Sequence, residues 1–295
     1  MDIVHHTLIG GAGYMLASTY DQQLAGAAFL AGSVFPDLDV FFMLFGKRFY
    51  LRNHQGITHS LPFSPLYALM ICAPMLYLLG INWAWLVYGA ALLGLCLHAG
   101  LDWLNTFRIA LFLPFSHKRY SLDAVFFIDS VTVSLTGLFY LLYGHYQIEV
   151  VAYAYPLVFL SYLIIKLLLH RRVIRTLKPL FAIPSSINPF AFYILTKDNK
   201  GLRGYLYNFL GKATRNNEYY PTVSEKYRRL AERSEVFRDM KAITRAFHIT
   251  KALVTDQDTV IYAGDLAVRN FGGRFAKTVL KFDKQNRLVH EVANI

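Results

Sequence analysis

Four long stretches of the chain carry almost no charge. Leu61 to Ile81 has none, and Trp83 to Leu101 is broken only by His98. Ala124 to Tyr143 contains Asp129, and Val150 to Leu169 contains Lys166 near its end. Each is close to the roughly 20 residues a helix needs to cross about 30 Å of hydrocarbon. The pattern predicts four membrane-spanning helices. Buried helices of a large soluble core are the alternative, but four such runs in succession are hard to bury in any other way. Ahead of them lie two shorter, glycine-rich apolar runs, Thr7 to Thr19 and Leu24 to Val34, separated by the polar turn Asp21-Gln22-Gln23. Each is too short to span, so a short helical hairpin, packed on the bundle or dipping part-way into the membrane, is expected. The N-terminus has no basic region and does not read as a signal peptide.

The pattern changes after Leu180. Ile183-Pro184-Ser185-Ser186-Ile187-Asn188-Pro189 reads as a linker or turn segment. Phe190–Thr196 and Leu202–Leu210 read as strands around the turn Asp198-Asn199-Lys200-Gly201. Thr222–Phe247 reads as one amphipathic helix, with Thr222 and Glu225 at capping-box spacing. Strand-like runs follow at Thr259–Val268, Arg274–Phe282 and Arg287–Val292. The fold class expected is a membrane-embedded all-α helical bundle over residues 1–180, four spans plus the N-terminal hairpin. A mostly antiparallel, soluble α+β domain is expected over residues 181–295.

Composition sharpens this division. Charged residues are 17% of the 295, against about 25% in an ordinary soluble domain. The mean hydropathy is +0.34. Disorder is excluded on the same ground, and two cysteines exclude a disulfide framework. Of the net charge of +11, +3 belongs to residues 1–180 and +8 to the remainder. The basic residues of the first part are grouped. Lys47, Arg48 and Arg52 precede the first predicted span, Arg108, Lys118 and Arg119 lie between the second and third, and Arg171, Arg172, Arg175 and Lys178 follow the fourth. Antiparallel threading puts all three groups on one side, which the positive-inside rule makes the cytoplasm.

The same threading gathers the chemistry. His5, His6, Asp37, Asp39, His54, His59, His98, Asp102, Asp123 and Asp129 all fall at the cytoplasmic ends of their segments. Ionisable groups at membrane depth are costly and tend to be functional. His98 and Asp102 are four apart and share a helix face. Alone, such a pair is as easily a structural hydrogen bond, and Asp37 and Asp39 are as easily a turn and a cap. Together the set is rich in imidazole and carboxylate with no thiolate nearby, which suits zinc, manganese or iron. Several carboxylates allow two ions to be bridged, as in phosphoester displacement.

The stretches MDIVHHTLIG, PDLD, RNHQGITHSLP, HAGLDWLNT and LPFS resemble the inner-membrane-associated metal-dependent hydrolases of the YdjM/YbcI type. The resemblance covers roughly residues 1–180, and AGDLAVRNFGGRF resembles the C-terminal domain of longer members. NHQGITHS is its most specific piece. The family usually has Arg at the position of Gln55, and a Pro after the acid at Asp129 where this chain has Ser130. The ligand order is also distantly similar to zinc-dependent phospholipase C and P1-type nucleases. By motif position the resemblance implies His6, Asp37, His59, His98 and Asp102 as metal ligands, with Asp39 and His54 as extra ones. Asp39 and Asp129 are the acids expected to act as base or to orient water. A divalent metal, zinc by preference and with room for two or more ions, is the cofactor implied.

These readings predict a multi-pass protein of the bacterial inner membrane. At its cytoplasmic face, metal-activated water would hydrolyse a phosphoester or other ester in a lipid or lipid-linked substrate. Arg52, Lys118 and Arg119 are candidates to bind substrate phosphate, although positive-inside residues commonly do no more than meet lipid headgroups. Asn53, Thr58, Ser60 and Asn105 are candidates to fix imidazole tautomers. Two other classes compete. A non-catalytic metal-binding scaffold or regulatory protein shares every feature but turnover. A metal-ion transporter would hold its ligands near the midplane, which the clustering at one end argues against. No nucleic-acid motif is present, and no protein partner can be named.

Overall fold

The computed structural model describes residues 2–79, 84–210, 215–244, 246–268 and 276–294, without the side chains of 78, 79 and 215–217. Parts of several sequence expectations lie outside these residues: the end of the first apolar run, Arg245, and residues 269–275 of the AGDLAVRNFGGRF stretch.

The N-terminal region is helical: α1 (Ile3–Ser18), α2 (Gln23–Val34), α3 (Lys47–Asn53), α4 (Ser64–Leu79), α5 (Ala84–Leu104), α6 (Ser130–Phe139) and α7 (Val150–Leu177). Among the described residues, three helices are long and apolar enough to cross a membrane: Gln23–Phe45, Ala84–Leu104 and Val150–Leu177. A fourth candidate is a pair, Lys47–His59 and Leu61–Tyr77, bent by 62°. This departs from the expected spans in two places. The second arm of the hairpin does not stop at Val34. It continues as a 3₁₀ helix over Phe35–Phe45, because Pro36 falls in the first turn, where no backbone donor is missed. The run beginning at Ala124 becomes helical only at Ser130, where the Asp129 carboxylate caps the backbone N–H groups of Val131 and Thr132. It then passes into a π-helical turn over Tyr140–His145.

Helices α1, α2 and α5 pack closely through small residues. A Cβ on Gly32 would meet the Ala91 carbonyl, and one on Gly94 would meet the Phe29 carbonyl. Apolar attraction between helices is absent in lipid, so close van der Waals approach through such residues has to replace it.

Among the described residues, the C-terminal region holds two four-stranded antiparallel sheets, with strand orders β1-β2-β3-β4 and β5-β6-β7-β8. The first comprises β1 (Phe181–Pro184), β2 (Ala191–Lys197), β3 (Gly201–Asn208) and β4 (Arg215–Pro221). The segment expected as a linker therefore begins as a strand. In β2, Ala191 to Leu195 are all buried, because both faces are covered. Phe192 and Ile194 meet Val173 of α7, while Tyr193 and Leu195 face a core containing Leu51, Phe126, Met240 and Leu266. The expected long helix is instead two, α8 (Glu225–Ala231) and α9 (Glu235–Ile243). Ser234 breaks it by accepting the Phe237 N–H as the cap of α9. The observed cap of α8 is Ser224 rather than Thr222. The second sheet comprises β5 (Phe247–Val254), β6 (Asp258–Asp265), β7 (Lys277–Asp283) and β8 (Leu288–Asn294). β5 occupies what was expected as the helix end and the loop after it. Thr278, Leu280 and Phe282 alternate inward on β7, as a one-sided sheet requires.

Besides these apolar contacts, polar contacts join the two regions. Arg48 and Arg52 of α3 pair with Glu235 and Asp239 of α9, the Arg52 Nε–Asp239 Oδ2 distance being 3.1 Å. The Ser185–Pro189 segment lies against the top of α6 and α7. There Ser130 N donates to Ser186 O at 2.8 Å and Lys166 Nζ to Pro189 O at 3.1 Å.

The helix crossing yields a direct test. Gly94→Leu should destabilise the detergent-solubilised protein by roughly 1–3 kcal/mol through overpacking. Gly89→Ala and Gly100→Ala, which meet open space, should be neutral or stabilising by up to about 1 kcal/mol. Thermal unfolding of the three variants checks this.

Candidate metal centre

The small-residue crossing positions the site. Gly94, His98 and Asp102 recur every four residues along one face of α5. Because the α2 backbone comes so close at Gly32, the Ser33 carbonyl reaches the His98 ring and accepts from Nδ1 at 2.7 Å. A carbonyl can only accept, so Nδ1 carries the proton and neutral His98 turns a bare Nε2 lone pair inward.

His59 arrives from the opposite side. It ends a short 3₁₀ turn, Ile57–His59, in a loop whose conformation is set by Asp39. Asp39 Oδ2 accepts from Gln55 N at 2.9 Å and from the Thr58 hydroxyl at 3.3 Å. Gln55 takes a left-handed conformation, φ 53°, to present that N–H. Since the Thr58 proton goes to Asp39, its oxygen accepts from His59 Nδ1 at 3.0 Å, and His59 Nε2 is also bare.

The two Nε2 atoms lie 3.1 Å apart. Asp102 Oδ2 is 3.2 Å from that of His59 and 3.4 Å from that of His98, and Asp37 Oδ1 is 3.6 Å from each. One atom from each of Asp37, His59, His98 and Asp102 thus falls within 4.8 Å of all the others. Four lone-pair donors facing each other repel unless a cation sits among them. A tetrahedral ion with bonds of about 2.0–2.1 Å spaces its donors about 3.3 Å apart, as in zinc sites of nitrogen and oxygen ligands. The observed spacings bracket that value. Asp37 Oδ2 is buried with no hydrogen-bond partner among the described residues, leaving that carboxylate capacity for a cation. The residues present therefore fit a divalent metal.

The other expected ligands stand beside this group. His6 Nε2 lies 3.1 Å from Asp102 Oδ1, and the His6 ring stacks on His98 with centroids 3.7 Å apart. His54 Nδ1 is 2.9 Å from Asp39 Oδ1, and its ring centroid is 6.4 Å from that of His59. No second group of three or more such donors forms among the described residues, so the two-ion expectation gains no separate site. Asp129 is not brought to the cluster. Beyond its cap bonds, it accepts the Tyr162 hydroxyl at 2.9 Å.

The three cations expected at substrate phosphate are otherwise engaged. Arg52 pairs with Asp239, and Lys118 lies 5.3 Å over the Tyr120 ring. Arg119 donates to the carbonyls of His54 and Arg108 at 3.0 and 3.3 Å, clamping the Asn53–Ser60 loop from below. Burial lowers the Arg119 guanidinium from its ordinary value while the Asp39 charge opposes the shift. Of the residues expected to fix tautomers, Thr58 does so. Asn53, Ser60 and Asn105 bond elsewhere, Ser60 to Leu113 O at 2.6 Å. The Ser33 carbonyl was missed, since a backbone acceptor leaves no side-chain signal.

Asp37, Asp39 and His54 also line a cavity of about 390 Å³. Its remaining walls are mostly apolar: Val40, Met43, Tyr50, Phe107, Phe127 and, from the C-terminal region, Met240 and Ile243. Tyr50 stacks on His54 at 4.5 Å between centroids.

The sequence profile of the YdjM inner membrane protein family matches residues 1–173. The chain is also similar to YfhP of Bacillus subtilis (strain 168), an uncharacterized protein, with 35% identity over 104 residues. That alignment takes in 33% of this chain and 30% of YfhP, so the chain covers under a third of that relative. No solved structure matches. These comparisons show no likeness to zinc-dependent phospholipase C or P1-type nucleases.

If the four donors hold a metal, His98→Ala and Asp102→Ala should each lose it. His117→Ala, whose ring lies outside the cluster, should keep it. Elemental analysis of purified, detergent-solubilised protein decides this, and normal metal content in both cluster variants would remove the claim.

Proposed function

This chain belongs to the YdjM inner membrane protein family, and on that premise we propose that it is a membrane-bound, metal-dependent hydrolase. Its substrate is a phosphoester or other ester in a lipid or lipid-linked molecule. The observation that carries the reading is a histidine–carboxylate pair, His54 and Asp39, opening on the same cavity as Asp37 of the four-donor cluster.

Asp37, His59, His98 and Asp102 hold the ion. A divalent cation on imidazole and carboxylate, zinc by preference, supplies Lewis acidity that activates water near neutral pH. His6 orients Asp102, and Ser33 and Thr58 hold the imidazole tautomers that the ligands need. Asp39 accepts the His54 Nδ1–H, which leaves His54 Nε2 as the proton acceptor towards the cavity. The His54 and His59 ring centroids are 6.4 Å apart, which stands the base beside the cluster. His54 thus replaces Asp39 as the base, with Asp39 its positioning residue. Asp129 stays outside the scheme as a helix cap. The basic groups around Arg52, Arg119 and Arg171 flank the same helix ends as the cluster, which supports a multi-pass topology with the site at the cytoplasmic face.

His54→Ala should retain metal and lower turnover by about 10²–10⁴, the usual worth of a general base. Asp39→Asn should also retain metal and lower turnover, by a smaller factor. The assay is release of fatty acid, phosphate or headgroup from mixed lipids in nanodiscs, abolished by a chelator and restored by zinc. Stoichiometric metal with no hydrolysis of any lipid ester would instead support a metal-binding scaffold.

A further inference from the structure

The apolar walls of the cavity are not needed to hold a metal, and they come from two regions of the chain. Val40 and Met43 belong to the last turns of Gln23–Phe45, a helix long and apolar enough to span a membrane. Val40 and Met43 are 40% and 44% exposed, and the adjoining Leu44 and Phe45 are 81% and 75% exposed. The cavity wall is therefore continuous with a surface suited to lipid. The far wall is Met240 and Ile243, on the inner face of α9, whose other face carries Glu235, Arg238 and Lys241. The cavity size falls within the roughly 300–1,000 Å³ range of small-molecule sites. No Lys or Arg lines it among the described residues.

We propose that this chamber receives the hydrocarbon chain of a membrane lipid, and that Met240 and Ile243 of the C-terminal region form the end wall that sets which chain fits. The inference rests on the hydrolase reading for its purpose, since it places an ester of that lipid beside His54 and the metal donors. The walls favour this occupant on physical grounds. An anionic headgroup would meet Asp37 and Asp39 in a chamber that no Lys or Arg side chain lines among the described residues, whereas a methylene chain gains about 0.8 kcal/mol per buried CH₂. The chain can slide in past Met43 without crossing a polar barrier. The α3–α9 ion pairs of Arg48 and Arg52 with Glu235 and Asp239 hold the end wall in place.

The test uses phosphatidylcholine carrying a diazirine at the end of one acyl chain, in nanodiscs with the full-length, metal-loaded protein. In a bilayer that group lies near the midplane and labels lipid-facing residues of α7 such as Leu157 and Leu160. A chain in the chamber brings it to α9. The expected result is carbene labelling at Met240 to Ile243 as well as on α7. Ile243→Trp, which fills the chamber, should lose the α9 label while keeping the α7 label and the metal; Ile243→Ala should keep all three. Labelling confined to α7 in the native protein would overturn the proposal, as would an α9 label that survives Ile243→Trp. Should α9 be labelled while no ester is hydrolysed, the hydrolase reading fails and the lipid chamber stands. Hydrolysis without α9 labelling would keep the hydrolase reading and remove the lipid chamber.

Discussion

The candidate site depends on one hydrogen bond, from His98 Nδ1 to the Ser33 carbonyl at 2.7 Å. It exists because α2 and α5 approach at a distance that only Gly32 and Gly94 permit. The bond fixes the tautomer of a fully buried imidazole and aims its free nitrogen at His59, Asp37 and Asp102. Within lipid, a helix has little means of holding a neighbour except close contact and polar bonds. Here the two coincide, so the packing that holds the helices together also orients the ligand. A side chain at either glycine would separate the backbones and release the ring.

A second set of bonds does the same for the other half of the site. Asp39 is not itself part of the four-donor group. It gathers the loop that is, taking bonds from Gln55, Thr58 and His54. Arg119 clamps the same loop through backbone carbonyls. These charges are worth more buried than exposed because each is met by several directed partners, whereas the exposed Arg52–Asp239 pair is worth at most about 1 kcal/mol on its own. That pair matters through its place, joining α3 to α9 beside the cavity.

Much of this could be read from the chain. The division near Leu180, the apolar helices and the His98–Asp102 face follow from run length and four-residue spacing. The family resemblance pointed to Asp37 and His59, which the structure brings to the same group. Other parts had no local signal. The continuation of α2 through Pro36 depends on where the proline falls in a turn, and an apolar run gives no sign of it. The split between α8 and α9 turns on Ser234, which reads as an ordinary polar residue within an amphipathic pattern. The strand at Phe181 looked like a linker because its prolines and serines follow directly. The contacts of Arg52, Lys118 and Arg119 had no local signal either: positive charge at a membrane face predicts location, while only tertiary contacts reveal what each cation touches. Asp129 shared its position at a helix start with the site acids, yet its carboxylate serves the helix it begins.

Everything said of the site requires that two imidazoles and two carboxylates, held by further bonds from Ser33, Thr58 and His6, bind one metal ion together. X-ray absorption at the edge of the metal bound to the purified protein addresses that requirement without passing through activity. A first shell of nitrogen and oxygen only is expected, with the multiple-scattering signature of two imidazoles. A sulfur neighbour would refute the assignment, since neither Cys72 nor Cys96 belongs to the cluster. So would a shell that lacks imidazole.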